Sequence, residues 1–160
     1  MVSDGVCFCG KGRLHFVDQS AKVDTAYYVG CLLPSLVDDC TRLLPSGYIF
    51  QQDSVPRRQH TARATQNWLQ TNCPYFIAKD LWPPNSSGLN PLDYHVWGAM
   101  LSAYHKCHPK PKAIAELKEV LQVIWHSLPQ GPIDKAAVNE FSKRLQACVA
   151  AEGGHLEHSQ

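Results

Sequence analysis

Two aspartates in this chain stand in settings that suit metal-ion chemistry. Asp53 follows Tyr48-Ile49-Phe50, a short run of strand formers behind the turn pair Ser46-Gly47, which places its carboxylate at the end of a buried strand. Asp93 follows Asn90-Pro91, a favoured N-cap and a favoured first helical residue, so it falls in the first turn of a helix. The dipole there favours the ionised carboxylate. Carboxylates at a strand end and a helix start can converge on a divalent cation, because Mg²⁺ prefers oxygen ligands and takes few of them from protein. The plainer readings are a turn residue ahead of Pro56 for Asp53 and a charge complementing the dipole for Asp93.

The elements that must position these residues can be read in chain order. Val6-Cys7-Phe8-Cys9 and Arg13-Leu14-His15-Phe16-Val17 predict a hairpin joined by Gly10-Lys11-Gly12. Asp24 caps a helix running to Leu44, which Pro34 kinks or splits. After the strand ending at Asp53, a helix spans about His60 to Thr71 and stops at Asn72-Cys73-Pro74. Tyr75-Phe76-Ile77-Ala78 predicts another strand, followed by a polar loop from Asp80 to Gly88. From Pro91 to about Lys106, Leu92, Val96, Met100 and Tyr104 recur at helical spacing, with Trp97 and Leu101 widening the apolar face. Two more amphipathic helices follow. The first carries Ile114, Leu117, Leu121 and Ile124; the second, capped by Asp134, carries Val138, Phe141, Leu145 and Cys148 and closes at Gly153-Gly154. Strands that alternate with helices and then give way to them suit a mixed sheet flanked by helices.

Composition bounds the function. With 160 residues, 44% hydrophobic and 18% charged, the chain is in the range of one globular domain, residues 1–151 with a tail at 152–160. A formal net charge of +1 argues against tight DNA binding by this chain alone, since phosphate neutralisation needs a dense basic surface. Seven scattered cysteines without a paired C-x-x-C framework read as reduced thiols, and Cys7 with Cys9 lacks the second pair a zinc site needs. The longest apolar run, Ala26 to Val37, contains Pro34 and is too short to span a bilayer, so no membrane partner is expected. Trp82, Trp97 and Trp125 come one per element without a basic stripe, which favours core or loop anchors over base-stacking platforms.

Two blocks in the sequence carry a resemblance. Gln51-Gln52-Asp53-Ser54-Val55-Pro56 with His60-Thr61-Ala62, and Trp82-Pro83-Pro84-Asn85-Ser86 with Leu89-Asn90-Pro91-Leu92-Asp93 and Trp97, resemble the second and third acidic motifs of the Tc1/mariner transposases of the DDE/D superfamily. The likeness runs from near the start to the closing Gly153-Gly154-His155-Leu156-Glu157-His158. It implies an α/β, ribonuclease-H-like fold, a mixed sheet flanked by helices, with Asp53 after a central strand and Asp93 on a helix beside it. It further implies Mg²⁺ or Mn²⁺ held by carboxylates, DNA as substrate, a dimer with itself or a full-length transposase, and the nucleus as location, or the cytoplasm for a fragment. By the same match His60 lies at the active-site rim. Arg57, Arg58 and Arg63 either touch DNA phosphate there or belong to a solvated loop.

This copy departs from the family pattern at several points. The family's first acid lies on the leading strand, upstream of the stretch that Val2 to Val17 matches, and Asp4 reads as a surface or hairpin residue rather than a relocated ligand. The N-terminal helix-turn-helix region also lacks a counterpart. The expectation is therefore the C-terminal part of a transposase starting at an internal methionine, its sheet incomplete at the N-terminal strand and its chain unable to complete transposition alone. Two extra residues lengthen Pro56-Arg57-Arg58-Gln59-His60, and Ser86-Ser87-Gly88 replaces the family's Ser-Pro-Asp. With that insertion set aside, the interval from Asp53 to Asp93 suits the family's aspartate-ending branch. The rival reading is a non-catalytic, domesticated or relic module that binds DNA or a full-length transposase.

Overall fold

The computed structural model describes residues 1–18, 20–52, 58–82 and 87–150. Its first element is an irregular hairpin. β1 (Val2–Ser3) pairs antiparallel with β4 (His15–Phe16), and β2 (Val6–Cys7) with β3 (Gly10–Lys11), in registers Val2↔Phe16 and Val6↔Lys11. Between the two paired stretches one strand holds Asp4 and Gly5 while the other holds Gly12, Arg13 and Leu14, so the second strand bulges by one residue.

The turn falls at Phe8-Cys9, not at Gly10-Lys11-Gly12 as predicted. The glycines serve close approach instead. A Cβ on Gly12 would stand 2.7 Å from Asp4 Oδ1 and 3.1 Å from Asp39 Oδ2, and one on Gly10 would stand 3.1 Å from the Leu43 side chain. Asp4 also differs from expectation: it belongs to the hairpin, yet it is 8% exposed, shut in by the bulge.

The first helical stretch is capped as predicted, with Asp24 Oδ1 accepting from Tyr27 N at 2.9 Å. It runs as α1 (Thr25–Tyr27), a π turn (Tyr28–Leu32) and α2 (Leu33–Leu43). Pro34 cannot donate to the carbonyl one turn back, and the helix widens just ahead of it, where Leu33 N donates to Tyr28 O. Replacing Asp24 with alanine is expected to cost about 1 kcal/mol, read as a drop of about 2–4 °C in melting temperature.

Gly47, at φ 94°, makes the turn into β5 (Ile49–Phe50), which pairs in parallel with β6 (Tyr75–Phe76). The strand ahead of Asp53 is less buried than predicted. Phe50 is in the core, but Ile49 is 65% exposed, because its face of β5 meets no covering element among the described residues. Between these strands lie α3 (Arg58–Thr61) and α4 (Arg63–Asn72). A 3₁₀ turn (Ser87–Leu89) and a π turn (Leu92–Val96) lead into α5 (Trp97–Lys106), followed by α6 (Ile114–Ser127). Then come α7 (Gln130–Asp134), a third π turn (Lys135–Glu140) and α8 (Phe141–Ala150). Asp134 therefore ends α7 rather than capping the last helix; its Oδ1 accepts from Gln130 Nε2 at 2.7 Å.

The apolar residues form two cores. Tyr28, Leu32, Leu33, Leu36, Phe50 and Leu69 pack α2 and α4 against the parallel pair. Leu14, Val96, Met100, Ile124, Trp125 and Ile133 seat the hairpin on α5, α6 and α7. In the second core Trp125 stacks on Trp97 with ring centres 6.3 Å apart and donates its Nε1 to Gly12 O at 2.9 Å. Lys11 Nζ donates to the carbonyls of Trp125 and Leu128, satisfying the C-terminus of α6. Both tryptophans are thus anchors, as their isolation in sequence predicts. The helical stripes are only partly used: Leu101, Ile114 and Leu145 are exposed.

The pairing is antiparallel in the hairpin and parallel at β5–β6, so the described strands form three two-stranded pairs in a mixed α/β fold. All seven cysteines are free thiols, and burial pushes Cys40 up to about 12. No helix among the described residues is long and apolar enough to cross a membrane.

Candidate active site

Asp93 is placed by its own neighbours. Asn90 acts as the cap: its Oδ1 accepts from Leu92 N at 3.2 Å and its carbonyl from Asp93 N at 3.0 Å, while its Nδ2 donates to Asp93 Oδ2 at 3.0 Å. Pro91 follows with helical angles, φ −56° and ψ −30°, and the π turn begins at Leu92. Leu92 and Val96 anchor this turn in the second core, leaving Asp93 exposed on the outer side. The sequence-level reading of Asn90-Pro91 thus matches the structure.

Asp53 and Arg57 lie outside the described residues, and so does the side chain of Arg58, whose backbone opens α3. The approach to Asp53 is described as far as Gln52, which is tightly bound. Tyr28 donates its hydroxyl to Gln52 Oε1 at 2.9 Å, and Gln52 Nε2 donates to the His60 carbonyl at 2.9 Å. A second amide, Gln66 Nε2, donates to the same carbonyl at 2.9 Å. The His60 ring packs against Tyr28 with centres 4.6 Å apart, so His60 ties α3 to the strand end. Arg63 is the exposed first residue of α4, where the dipole disfavours a cation and the helix gains nothing from it.

A hard divalent cation takes oxygen ligands and few of them from protein, and Asp93, an exposed carboxylate held at a helix start, fits that demand as one ligand. Among the described residues no group of three His, Cys, Asp or Glu side chains converges to hold a metal. Two clefts open elsewhere. One is lined by Arg13, His15, Ser35 and His126, and the other by Val2, Trp97, Leu101 and Leu121; Asp93 lines neither.

Sequence reasoning missed the partners that hold the two motifs. Tyr28 and Gln66 support the Gln52 block, and Arg144 and Phe141 touch the block around Asp93. Each pair is distant in sequence, so no local pattern announces it.

The arrangement of hairpin, helical stretch, parallel strands and closing helices is also found in the catalytic domain of a DNA transposase. Solved structures that share it include those of the Mos1 mariner transposase. The Mos1 catalytic domain with Raltegravir and Mn matches with a TM-score of 0.78 at 21% identity, over 96% of this chain and 76% of that one. The Mos1 mariner catalytic domain by itself matches at a TM-score of 0.76 and 21% identity, over 96% and 74% of the two chains. The Mos1 strand transfer complex matches at 0.76 and 23%, over 94% of this chain and 42% of the longer Mos1 chain. At these identities the likeness establishes the fold. No protein-family model matches the sequence, and no curated protein is significantly similar to it.

Proposed function

We propose that the chain is a DNA-processing domain of the Tc1/mariner kind, built on a ribonuclease-H-like sheet, with Asp53 and Asp93 as the second and third acids of a metal site. The observation that carries this reading is the exposed Asp93, oriented by Asn90 at a helix start, in a chain that shares the Mos1 catalytic fold. Mg²⁺ or Mn²⁺ bound there would supply a Lewis acid for phosphodiester cleavage and strand transfer. The chain's own residues orient and present. Asn90 fixes the Asp93 carboxylate, and Tyr28, Gln52 and Gln66 hold the backbone that leads to Asp53. Arg63, Arg58, Arg57 and His60 are proposed to meet DNA phosphate near the strand end, the first of these from an exposed helix start. The proposed partners are transposon-end DNA and a second transposase chain, in the nucleus.

Two of the family's three acids have counterparts in this sequence, so unaided activity is expected to be weak nicking rather than full transposition. The test is nicking of supercoiled plasmid by the 160-residue chain in Mn²⁺, beside Asp53→Asn and Asp93→Asn. Nicking that both substitutions abolish supports the reading. Absent nicking, or nicking unchanged in the variants, favours the second reading, a non-catalytic module that binds DNA or a full-length transposase; the net charge of +1 gives that reading its weight.

A further inference from the structure

The block that carries Asp93 is fastened to the C-terminal helices at three points. Trp82, 6% exposed, stacks on Phe141 of α8 with ring centres 6.4 Å apart and planes 10° from parallel. Arg144 of α8 donates from Nη1 to the Gly88 carbonyl at 3.2 Å, and its guanidinium carbon lies 4.1 Å from the centre of the Tyr94 ring. The Tyr94 hydroxyl in turn donates to the Ala136 carbonyl at 2.6 Å. Asp93 lies between two of these points, with Gly88 on the near side in sequence and Tyr94 immediately after it.

One side chain, Arg144, holds both. Its stacking on Tyr94 is a cation–π contact at a partly buried ring, the setting in which such contacts are strongest. Its Nε is buried without a hydrogen-bond partner among the described residues. An arginine that served only solubility or surface pairing would turn that nitrogen to water; here the guanidinium is kept over Tyr94 and reaching to Gly88.

We infer that Arg144 is a positioning residue for Asp93. From the C-terminal helix it grips the residues on either side of Asp93 and fixes the turn that presents the carboxylate. This rests on the reading of Asp93 as a metal ligand. Outer partners of metal ligands commonly govern affinity by tenfold or more, and Arg144 acts one step further out, through the backbone that Asn90 caps.

The test is Mn²⁺ binding by the full chain, read from the electron paramagnetic resonance signal of free Mn²⁺, with thermal melting of each variant in parallel. Wild type is expected to bind Mn²⁺ and Asp93→Asn to lose binding. Arg144→Ala is expected to weaken binding about tenfold. Arg144→Lys, which keeps a cation over Tyr94, should recover part of that loss, a rescue that mere packing would not produce. Should Arg144→Ala fail to fold, Arg144→Met retains the apolar stem and should show the same weakening. Wild-type affinity in a folded Arg144→Ala or Arg144→Met overturns the inference while leaving Asp93 as a ligand. Absence of Mn²⁺ binding in wild type, or unchanged binding in Asp93→Asn, overturns the metal-site reading, and the role of Arg144 with it.

Discussion

Replacing Asp39 with alanine is expected to lower the unfolding free energy by about 3 kcal/mol. Asp39 is 3% exposed and accepts four hydrogen bonds: from the backbone N and Nε of Arg13, from His15 Nε2 and from Arg42 Nη2. It is the polar staple between α2 and the hairpin, two elements that belong to different apolar cores. Without the carboxylate, the Arg13 amide inside the bulge and the His15 ring lose a buried acceptor, which is the costly half of the change. The two guanidiniums are half exposed and recover water, which keeps the loss at the lower end for a broken buried pair. Urea denaturation at neutral pH measures it. A loss below about 1 kcal/mol would mean that desolvation of Asp39 cancels its bonds.

The acid side should carry the same signature. Burial pushes the Asp39 carboxyl up, but the hydrogen bonds from Arg13 and His15 outweigh it and hold the group below its ordinary range. A carboxylate depressed in the fold stabilises above its unfolded pKa, and that contribution is lost as pH falls through the folded value. The Asp39→Asn variant should therefore show a flatter acid limb.

Asp4 is expected to do the opposite. Burial pushes its carboxyl up to about 8, the Gly5 amide opposes this, and nearby Asp39 adds to it. Its Oδ2 is buried with no hydrogen-bond partner among the described residues, the arrangement of a carboxyl kept neutral rather than of a paired anion. The unfolded chain ionises Asp4 above about 3.8, while the folded chain holds the proton until about 8. The contribution of Asp4 is then greatest below pH 4, falls as pH rises to about 8, and is level beyond; by pH 7 its loss is roughly 4 kcal/mol. Asp4→Asn removes the titration and should be more stable than wild type at pH 8 by about 2 kcal/mol, after the cost of an unpartnered amide. Near pH 4, where wild-type Asp4 is neutral in the fold and costs nothing to bury, the order should reverse, the variant being the less stable by the cost of that amide. Urea melts at several pH values decide it, and parallel curves for the two proteins would sink the assignment.

Neither aspartate announces itself in the sequence. Asp4 looks like any polar residue of a hairpin, and its burial depends on the bulge that seats Gly12 and Asp39 beside it. Asp24 and Asn90-Pro91 were legible because a cap acts within one turn of chain, and Ser46-Gly47 because a turn needs a positive φ. Gly10 and Gly12 were misread for the same reason in reverse: a glycine that admits a neighbouring side chain looks identical to one that makes a turn. Helical periodicity located α5 and α6 but not which ends would be covered, so Leu101 and Ile114 fell on apolar faces and remain exposed. Of the candidate site, the Asn90-Pro91 helix start that places Asp93 was legible, while Asp53 lies outside the described residues. The supports of the site, Tyr28 on Gln52 and Arg144 on Tyr94, join residues far apart in the chain and become visible only when the cores form.

The parallel pair β5–β6 carries a kinetic meaning. The hairpin closes on itself through a two-residue turn, but Ile49 pairs with Tyr75 across the whole of α3 and α4. Pairings closed over such a span form slowly, because the entropy of closure is lost before any contact offsets it. The strand that leads into Asp53 is therefore expected to pair late in folding, after the helices between it and its partner.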